Sequence, residues 1–454
     1  MSPQSILIVG SGIAGPALAT FLLLAPLPAA ELPHITILER ASSPRPHGQN
    51  IDVRGAGITL IKHLGLERTI RASLTNETGV QLVDSQNRVW AQSAADKTGK
   101  VQTGTSDVEI LRGRLAGILL DGCRRVSKDV EARGGKGVEI VFGDYVESMQ
   151  EDGDAMSVTF AESRMQRRFD VVVGADGLQS QTRRMAWGAD GEDDRVKKLG
   201  MYAGFFSMPR GPTDSLWRRW YRAPGGRSIM QRPSDQPDRS TVFISVINEN
   251  DTRLQEVARL GAKGSAEQKA LLTEYFEDAG WESKRIVKEM NAADDFYYDM
   301  VAQVKMEKWS KGRVVLLGDA GYAFPSLPTT LSALTLPSYC ASPISGMGTT
   351  LGLVGAYNLA GALIQHPDDL STAFAQYEKH MRPTVVKAQK LAPGAPRIFN
   401  PQSGWVIWLC NVTFWLILSS GVSTLLFRFA GPPANAVPVE DYGFRRLDEE
   451  ETEK

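Results

Sequence analysis

The sequence predicts an α/β fold: a domain of parallel strands, interrupted by a mixed-sheet domain and followed by C-terminal helices. Three observations predict it. An apolar run, Ser5 to Val9, leads into a glycine turn and then an apolar helix. Two further strands, Phe169 to Val173 and Arg313 to Leu317, apolar but for Asp170 and Arg313, each end in a turn that carries glycine and an acid. Between those two lie longer strand-like runs with their own turn signals, the texture of a separate sheet.

Each element follows in order. Ser5 to Val9 has no polar interruption after its first residue, the pattern of a strand buried on both faces of a parallel sheet. Pro16 to Leu24 reads as a helix and His34 to Leu38 as the next strand, which makes the segment a βαβ unit. Asp107 to Val126 reads as a short strand feeding a helix, with Leu111, Leu115, Ile118 and Leu119 at helical spacing. Val138 to Phe142 and Ser157 to Phe160 are expected as strands of a small hairpin region. In the middle, Gly200 to Met208, Trp217 to Gln231 and Ser240 to Asn248 read as longer strands, with a turn at Pro224-Gly225-Gly226. Ser265 to Met290 reads as helical.

Composition narrows the function classes. The chain has 454 residues, 42% of them hydrophobic, enough for one large or two medium cores. Lys and Arg number 51 against 52 Asp and Glu, so no basic field points to nucleic acid. Cys123, Cys340 and Cys410 share no short spacing, which predicts neither a disulfide scaffold nor a metal site, in a reducing, cytoplasmic setting. The first apolar run enters a glycine motif directly and reads as a core strand, not a signal peptide. The five histidines are scattered and suggest no catalytic constellation.

The turns carry the chemistry. In Gly10-Ser11-Gly12-Ile13-Ala14-Gly15, one glycine makes a tight turn, one admits a pyrophosphate to the backbone and one lets the helix pack on the strand. The helix N-terminus then offers unpaired N–H groups to phosphate. Glu39 ends the following strand, where an acid accepts hydrogen bonds from a ribose diol. These residues alone do not separate FAD from NAD. Asp176-Gly177 follows the strand Phe169 to Val173, with Ser180 and Arg183 beyond it. Gly318-Asp319 follows the strand Arg313 to Leu317, at the sheet edge where ligands bind in open α/β folds. Gly346 and Gly348 open a helix of small and apolar residues, whose amides would stabilise negative charge. Each of these turns taken singly is compatible with a purely structural role; their order is the specific signal.

In that order they resemble the para-hydroxybenzoate hydroxylase family of single-component flavoprotein monooxygenases, over nearly the whole chain to about residue 395. The resemblance implies a Rossmann-like FAD-binding domain over residues 1–75, 106–190 and 301–395. It places a substrate domain at 191–300, with an excursion at 76–105, and leaves 396–454 as a hydrophobic helix region and tail. The family's cofactor contacts fall on Gly10, Gly12, Ala14, Gly15, Glu39, Arg112, Asp176, Gly177, Asp319, Gly346 and Gly348, and its loop below the flavin on Asp52-Val53-Arg54-Gly55. The implied reaction uses FAD, NADPH or NADH as a transient co-substrate, and O2. A flavin C4a-hydroperoxide would hydroxylate or epoxidise a small organic molecule, a polyketide-type intermediate of fungal secondary metabolism. The nicotinamide is expected near Asp176 and Arg183, since no second glycine fingerprint occurs. Tyr202, Phe205, Tyr221 and Met230 are candidate substrate contacts on the middle sheet. A halogenase or reductase on the same scaffold, or a non-catalytic flavin-fold protein, is the alternative. The Trp-x-Trp-x-Ile-Pro motif of halogenases is not supplied by Trp217-Arg218-Arg219-Trp220.

Two stretches depart from the family. Residues 324–341 separate turns that nearly adjoin in the family, and are expected either as a lid or as the translation of an unspliced intron. Residues 405–427 carry no charge and are long enough to cross a membrane, which suggests membrane association; the alternative is a pair of helices packed on the body.

Overall fold

The computed structural model describes residues 3–45, 48–95, 106–323, 347–391, 394–419 and 439–448. The stretch 324–341, Gly346 and residues 420–427 of the apolar run lie outside them. The chain opens with β1 (Ser5–Val9), α1 (Ala14–Leu23) and β2 (His34–Glu39), the βαβ unit expected from the sequence. β3 (Asn50–Asp52), α2 (Ala56–His63) and α3 (Glu67–Arg71) precede the hairpin β4 (Gly79–Val83) and β5 (Val89–Ala94). β6 (Glu109–Leu111) runs straight into α4 (Arg112–Ala132), and β7 (Val138–Phe142) follows. Next come β8 (Val146–Asp152), β9 (Ala155–Phe160), β10 (Gln166–Phe169), β11 (Val171–Gly174), α5 (Gln181–Trp187) and α6 (Glu192–Arg195).

The second half begins with the long strands β12 (Val196–Pro209), β13 (Trp217–Ala223), β14 (Arg227–Pro233) and β15 (Arg239–Ile247). Helices α7 (Arg253–Arg259), α8 (Ser265–Phe276) and α9 (Ser283–Ala292) lead to β16 (Tyr297–Val304), β17 (Ser310–Lys311) and β18 (Val314–Leu316). The one-turn helix α10 (Asp319–Tyr322) and the longer α11 (Met347–Gln365), α12 (Leu370–Ala388) and α13 (Gly404–Ser419) complete the described elements.

The first sheet has the order β17-β18-β11-β1-β2-β7, parallel except at β17. The pleat of its central strand divides two cores. Ile6 and Ile8 face α1, α4, α11 and α12, whereas Leu7 and Val9 pack with Met156, Val158, Phe160 and Phe169 of the β10-β9-β8 sheet. That explains the unbroken apolar run at the sequence level. One expectation is corrected: Val138 to Phe142 is no part of a hairpin with Ser157 to Phe160 but pairs in parallel with β2 at the sheet edge. Its residues are partly exposed along the whole strand, as at a sheet edge, a pattern a hairpin strand shares.

The second sheet has seven strands in the order β16-β12-β15-β14-β13-β4-β5 and is antiparallel except where β13 meets β4. One face packs on α8 and α9 through Tyr202, Phe206, Tyr221 and Ile229. The opposite face carries Met201, Trp220 and Met230, which pack with Phe399 and with Phe414 of α13. The expected helix over Ser265 to Met290 is two helices, broken where Gly280 takes φ +89° and Trp281 φ +51°. Among the described helices, α11 is long and apolar enough to cross a membrane, yet it is mostly buried against α1, α2 and α12.

Candidate functional site

The three glycines of the first turn have three separate reasons to be glycine. Gly10 sits at φ +112°, and a Cβ there would stand 2.5 Å from the Ala175 carbonyl oxygen. Gly15 has no room for one because it would strike the Gly10 carbonyl oxygen, so α1 lies hard against β1. A Cβ on Gly12 would meet nothing within 4 Å, and the backbone there faces a cavity of about 350 Å³. Ile13 and Ala14 bring the start of α1 to the same wall. Glu39 closes the turn: its two carboxylate oxygens accept the Ser11 and Ala41 N–H groups, both at 2.9 Å. Each oxygen keeps lone pairs for a ribose hydroxyl. The Ser11 hydroxyl is buried without a protein partner.

The cavity continues past Arg112, the first residue of α4, held where its N–H donates to the Gln49 carbonyl at 2.9 Å. Its positive charge acts on Asp299 and Asp319. Burial pushes both carboxyls above their ordinary value, and Arg112 opposes the shift in each. Asp319 starts α10 directly after Gly318, whose φ of +65° turns the chain off β18. Gly348 and Thr349 bring the start of α11 to the cavity, and Thr350 fixes that start by exchanging hydrogen bonds with the Arg54 N–H (3.2 Å) and carbonyl (3.1 Å).

The Asp176-Gly177 turn is built differently. Asp176 accepts from the Ser180 hydroxyl (2.5 Å) and from both the N–H and hydroxyl of Thr182 (3.0 Å each), so it ties the turn to the start of α5. Gly177, at φ +77°, leaves open space above the cavity. Arg183 is fully buried and donates to the Leu178 and Ala320 carbonyls at 2.8 and 2.6 Å, with its remaining contact to Glu192. It clamps the two acid-bearing turns together, and its guanidinium is engaged by protein groups.

The far end of the cavity is the second sheet. Phe205 and Met230 line it, together with Phe243 and Tyr297; Phe205 stacks on Tyr297 with centroids 4.7 Å apart. Tyr202 and Tyr221 are not brought to it. Side chains alternate along a strand, and both tyrosines point to the helical side. Tyr221 donates there to the Ala279 carbonyl at 2.6 Å, and Tyr202 stacks on Tyr298. Below Met230 lies an ionic cluster. Arg218 and Arg232 reach Glu77 at 2.8 and 2.9 Å, and Arg232 also reaches Glu109 at 2.8 Å. Asn50 and Thr75 donate to Glu109 as well, at 2.7 and 2.9 Å. Burial outweighs the two arginines and pushes the Glu109 carboxyl up to about 7. Sequence reasoning missed this cluster, along with Arg40, Arg45, Gln179 and Tyr297 on the wall. The one legible signal was charge at Glu77, Glu109 and Arg218 within otherwise strand-like runs.

Comparison with known proteins agrees with this geometry. Residues 4–327 match the family described as FAD binding domain. The monooxygenase CTB7 of Cercospora beticola is 32% identical over 453 residues, 98% of this chain and 99% of that protein. The FAD-dependent monooxygenase asL6 of Sarocladium schorii is 33% identical over 408 residues, 88% of this chain and 89% of that one. Among solved structures, the tetracycline destructase Tet(51) superposes with a TM-score of 0.70 at 27% identity, covering 95% of this chain and 99% of that one.

Proposed function

We infer, from the premise that this chain belongs to the FAD-binding family of flavin-dependent monooxygenases, that it couples NADPH or NADH and O2 to hydroxylation or epoxidation of a small organic molecule, a polyketide-type intermediate of fungal secondary metabolism. Two electrons and a proton from the nicotinamide, with one solvent proton, reduce O2 so that one oxygen atom enters the substrate and the other leaves as water. The observation that carries the reading is the continuity of one cavity from the glycine turn to the aromatic face of the second sheet. The fungal relatives support the metabolic setting.

The residues present fit FAD. Gly12 and the start of α1 would take the pyrophosphate, and Glu39 the adenosine ribose. Asp319 and Arg112 would meet the ribityl chain, and the start of α11 at Gly348 the ring's electron-rich edge. Bound FAD supplies the hydride acceptance and oxygen activation that no side chain can perform. The protein's own work is exclusion and aim. Phe205, Phe243, Tyr297 and Met230 keep water from the reacting centre and fix an apolar substrate face-on. The nicotinamide binds transiently over the open Gly177, since the neighbouring arginine is fully engaged.

The test is purification followed by a visible spectrum, then oxygen uptake with NADPH and with NADH in the presence of pathway intermediates. Substrate-stimulated uptake and a product heavier by one oxygen atom are expected. A yellow protein that reduces substrate without consuming O2 would refute the monooxygenase chemistry.

A further inference from the structure

We propose that the outward face of α13 docks this protein on a lipid bilayer, lying in the membrane plane rather than crossing it. Trp405, Trp408, Leu409, Trp415 and Leu416 are 69, 56, 47, 50 and 54% exposed. They make up half of the exposed large hydrophobic side chains among the described residues, gathered on one helix. Their positions follow the i, i+3, i+4, i+10, i+11 spacing of a single helical stripe. The opposite stripe, Ile407, Asn411 and Phe414, is buried against β5 and β13. The helix is thus apolar on both sides, with one side already covered by protein. Contiguous exposed apolar surface of this kind marks an interaction site.

Charge and composition select the occupant. No Asp, Glu, Lys or Arg occurs between Arg397 and Arg428. Protein interfaces favour tryptophan as well, but together with arginine, which this run lacks. A bilayer interface instead favours tryptophan, whose ring sits at the headgroup level. The path of the chain selects the orientation. Residues 420–438 join α13 to a segment that packs back on the same body. There the Tyr357 hydroxyl donates to the Glu440 carbonyl at 2.7 Å, and the Arg445 N–H to the Leu24 carbonyl at 2.9 Å. A single crossing would leave the two flanks of the uncharged run on opposite sides of a membrane, whereas both are fastened to one body. The helix sits close to the reaction chamber: Phe414 shares a packed cluster with Met230, which lines the cavity. Docking there would set the chamber beside the phase in which an apolar substrate dissolves.

The test is flotation of the full-length, flavin-loaded protein with phosphatidylcholine vesicles, and with vesicles that also contain phosphatidylserine. The wild type is expected to float with both, undiminished at high salt, because no charge drives the binding. A Trp405→Gln/Trp408→Gln/Trp415→Gln variant should bind at least about a hundredfold more weakly, each inserted ring being worth on the order of tenfold, and should stay yellow. Should that variant lose its flavin, quenching of wild-type tryptophan fluorescence by brominated phosphatidylcholine decides instead, and absence of quenching refutes the proposal. Flotation only with anionic vesicles and release by salt would also overturn it. So would a wild-type dimer that the variant converts to monomer, or exposed-tryptophan fluorescence already shielded from acrylamide without vesicles.

Discussion

Removal of the Asp319 carboxylate should separate cofactor affinity from protein stability in an uncommon way. The group is partly buried at the head of α10, and burial raises its pKa, with Arg112 only opposing the shift. A charge held in such a place is justified by a ligand hydroxyl that donates to it. Loss of one charge-assisted hydrogen bond costs about 1.5–3 kcal/mol, which is roughly 10- to 150-fold in dissociation constant. Asp319→Asn and Asp319→Ala apoproteins titrated with FAD by fluorescence should show that weakening. The sign for stability is opposite. A carboxyl whose folded pKa lies above its unfolded value favours folding at low pH and loses that contribution as pH rises through the folded pKa. At neutral pH the Asp319→Asn apoprotein should therefore melt no lower than the parent apoprotein, while its FAD-induced gain in melting temperature shrinks. Equal FAD affinity in variant and parent, or an apoprotein that is markedly less stable, would refute the assignment.

Three further outcomes follow from the same geometry. Gly12→Ala should fold and lose FAD, because its Cβ enters open cavity, whereas Gly10→Ala should misfold, because its Cβ meets the Ala175 backbone at a φ of +112°; soluble yield and visible absorbance distinguish them. Arg183→Met should destabilise the fold by about 3 kcal/mol or more by stranding buried acceptors, seen in thermal melts, with little change in KM for NADPH; a large KM change at constant stability would mean direct coenzyme contact. Glu109 is pushed up to about 7 from 4.5, so its contribution to folding is present below 4.5 and is lost as pH rises toward 7. The wild type should therefore lose melting temperature relative to Glu109→Gln over that window, and parallel pH profiles would contradict the burial argument.

The fold was legible where one physical demand fixed the residue type. Buried parallel strands left unbroken apolar runs at Ser5–Val9 and Val171–Gly174, and the positive-φ turns left glycines at 10, 177 and 318. The limits appear where one pattern serves two structures. Val138–Phe142 is partly exposed along its length, as an edge strand of either kind would be, so its partner could not be read. The middle-sheet candidates split by the pleat: period two says that Tyr202 and Phe205 face apart, but not which of the two faces carries the cavity. Arg183 looked available because sequence shows charge and not engagement. The Glu77–Arg218–Glu109–Arg232 cluster draws on four strands or loops far apart in the chain, and no local window contains it.

The pairing of β4 with β13 has a consequence for how this enzyme is made and remade. The second sheet takes two strands from before residue 95 and the rest from after residue 195, while the first sheet waits for β18 at Val314–Leu316. The two sheets are laced through each other, so a ribosome must release most of the chain before either can close, and the early hairpin β4–β5 spends that interval without its neighbour. The same lacing sets the rule for recombination. A single-crossover exchange with a relative would pair β4 of one protein with β13 of another, so a transplant of the second sheet needs both segments moved together.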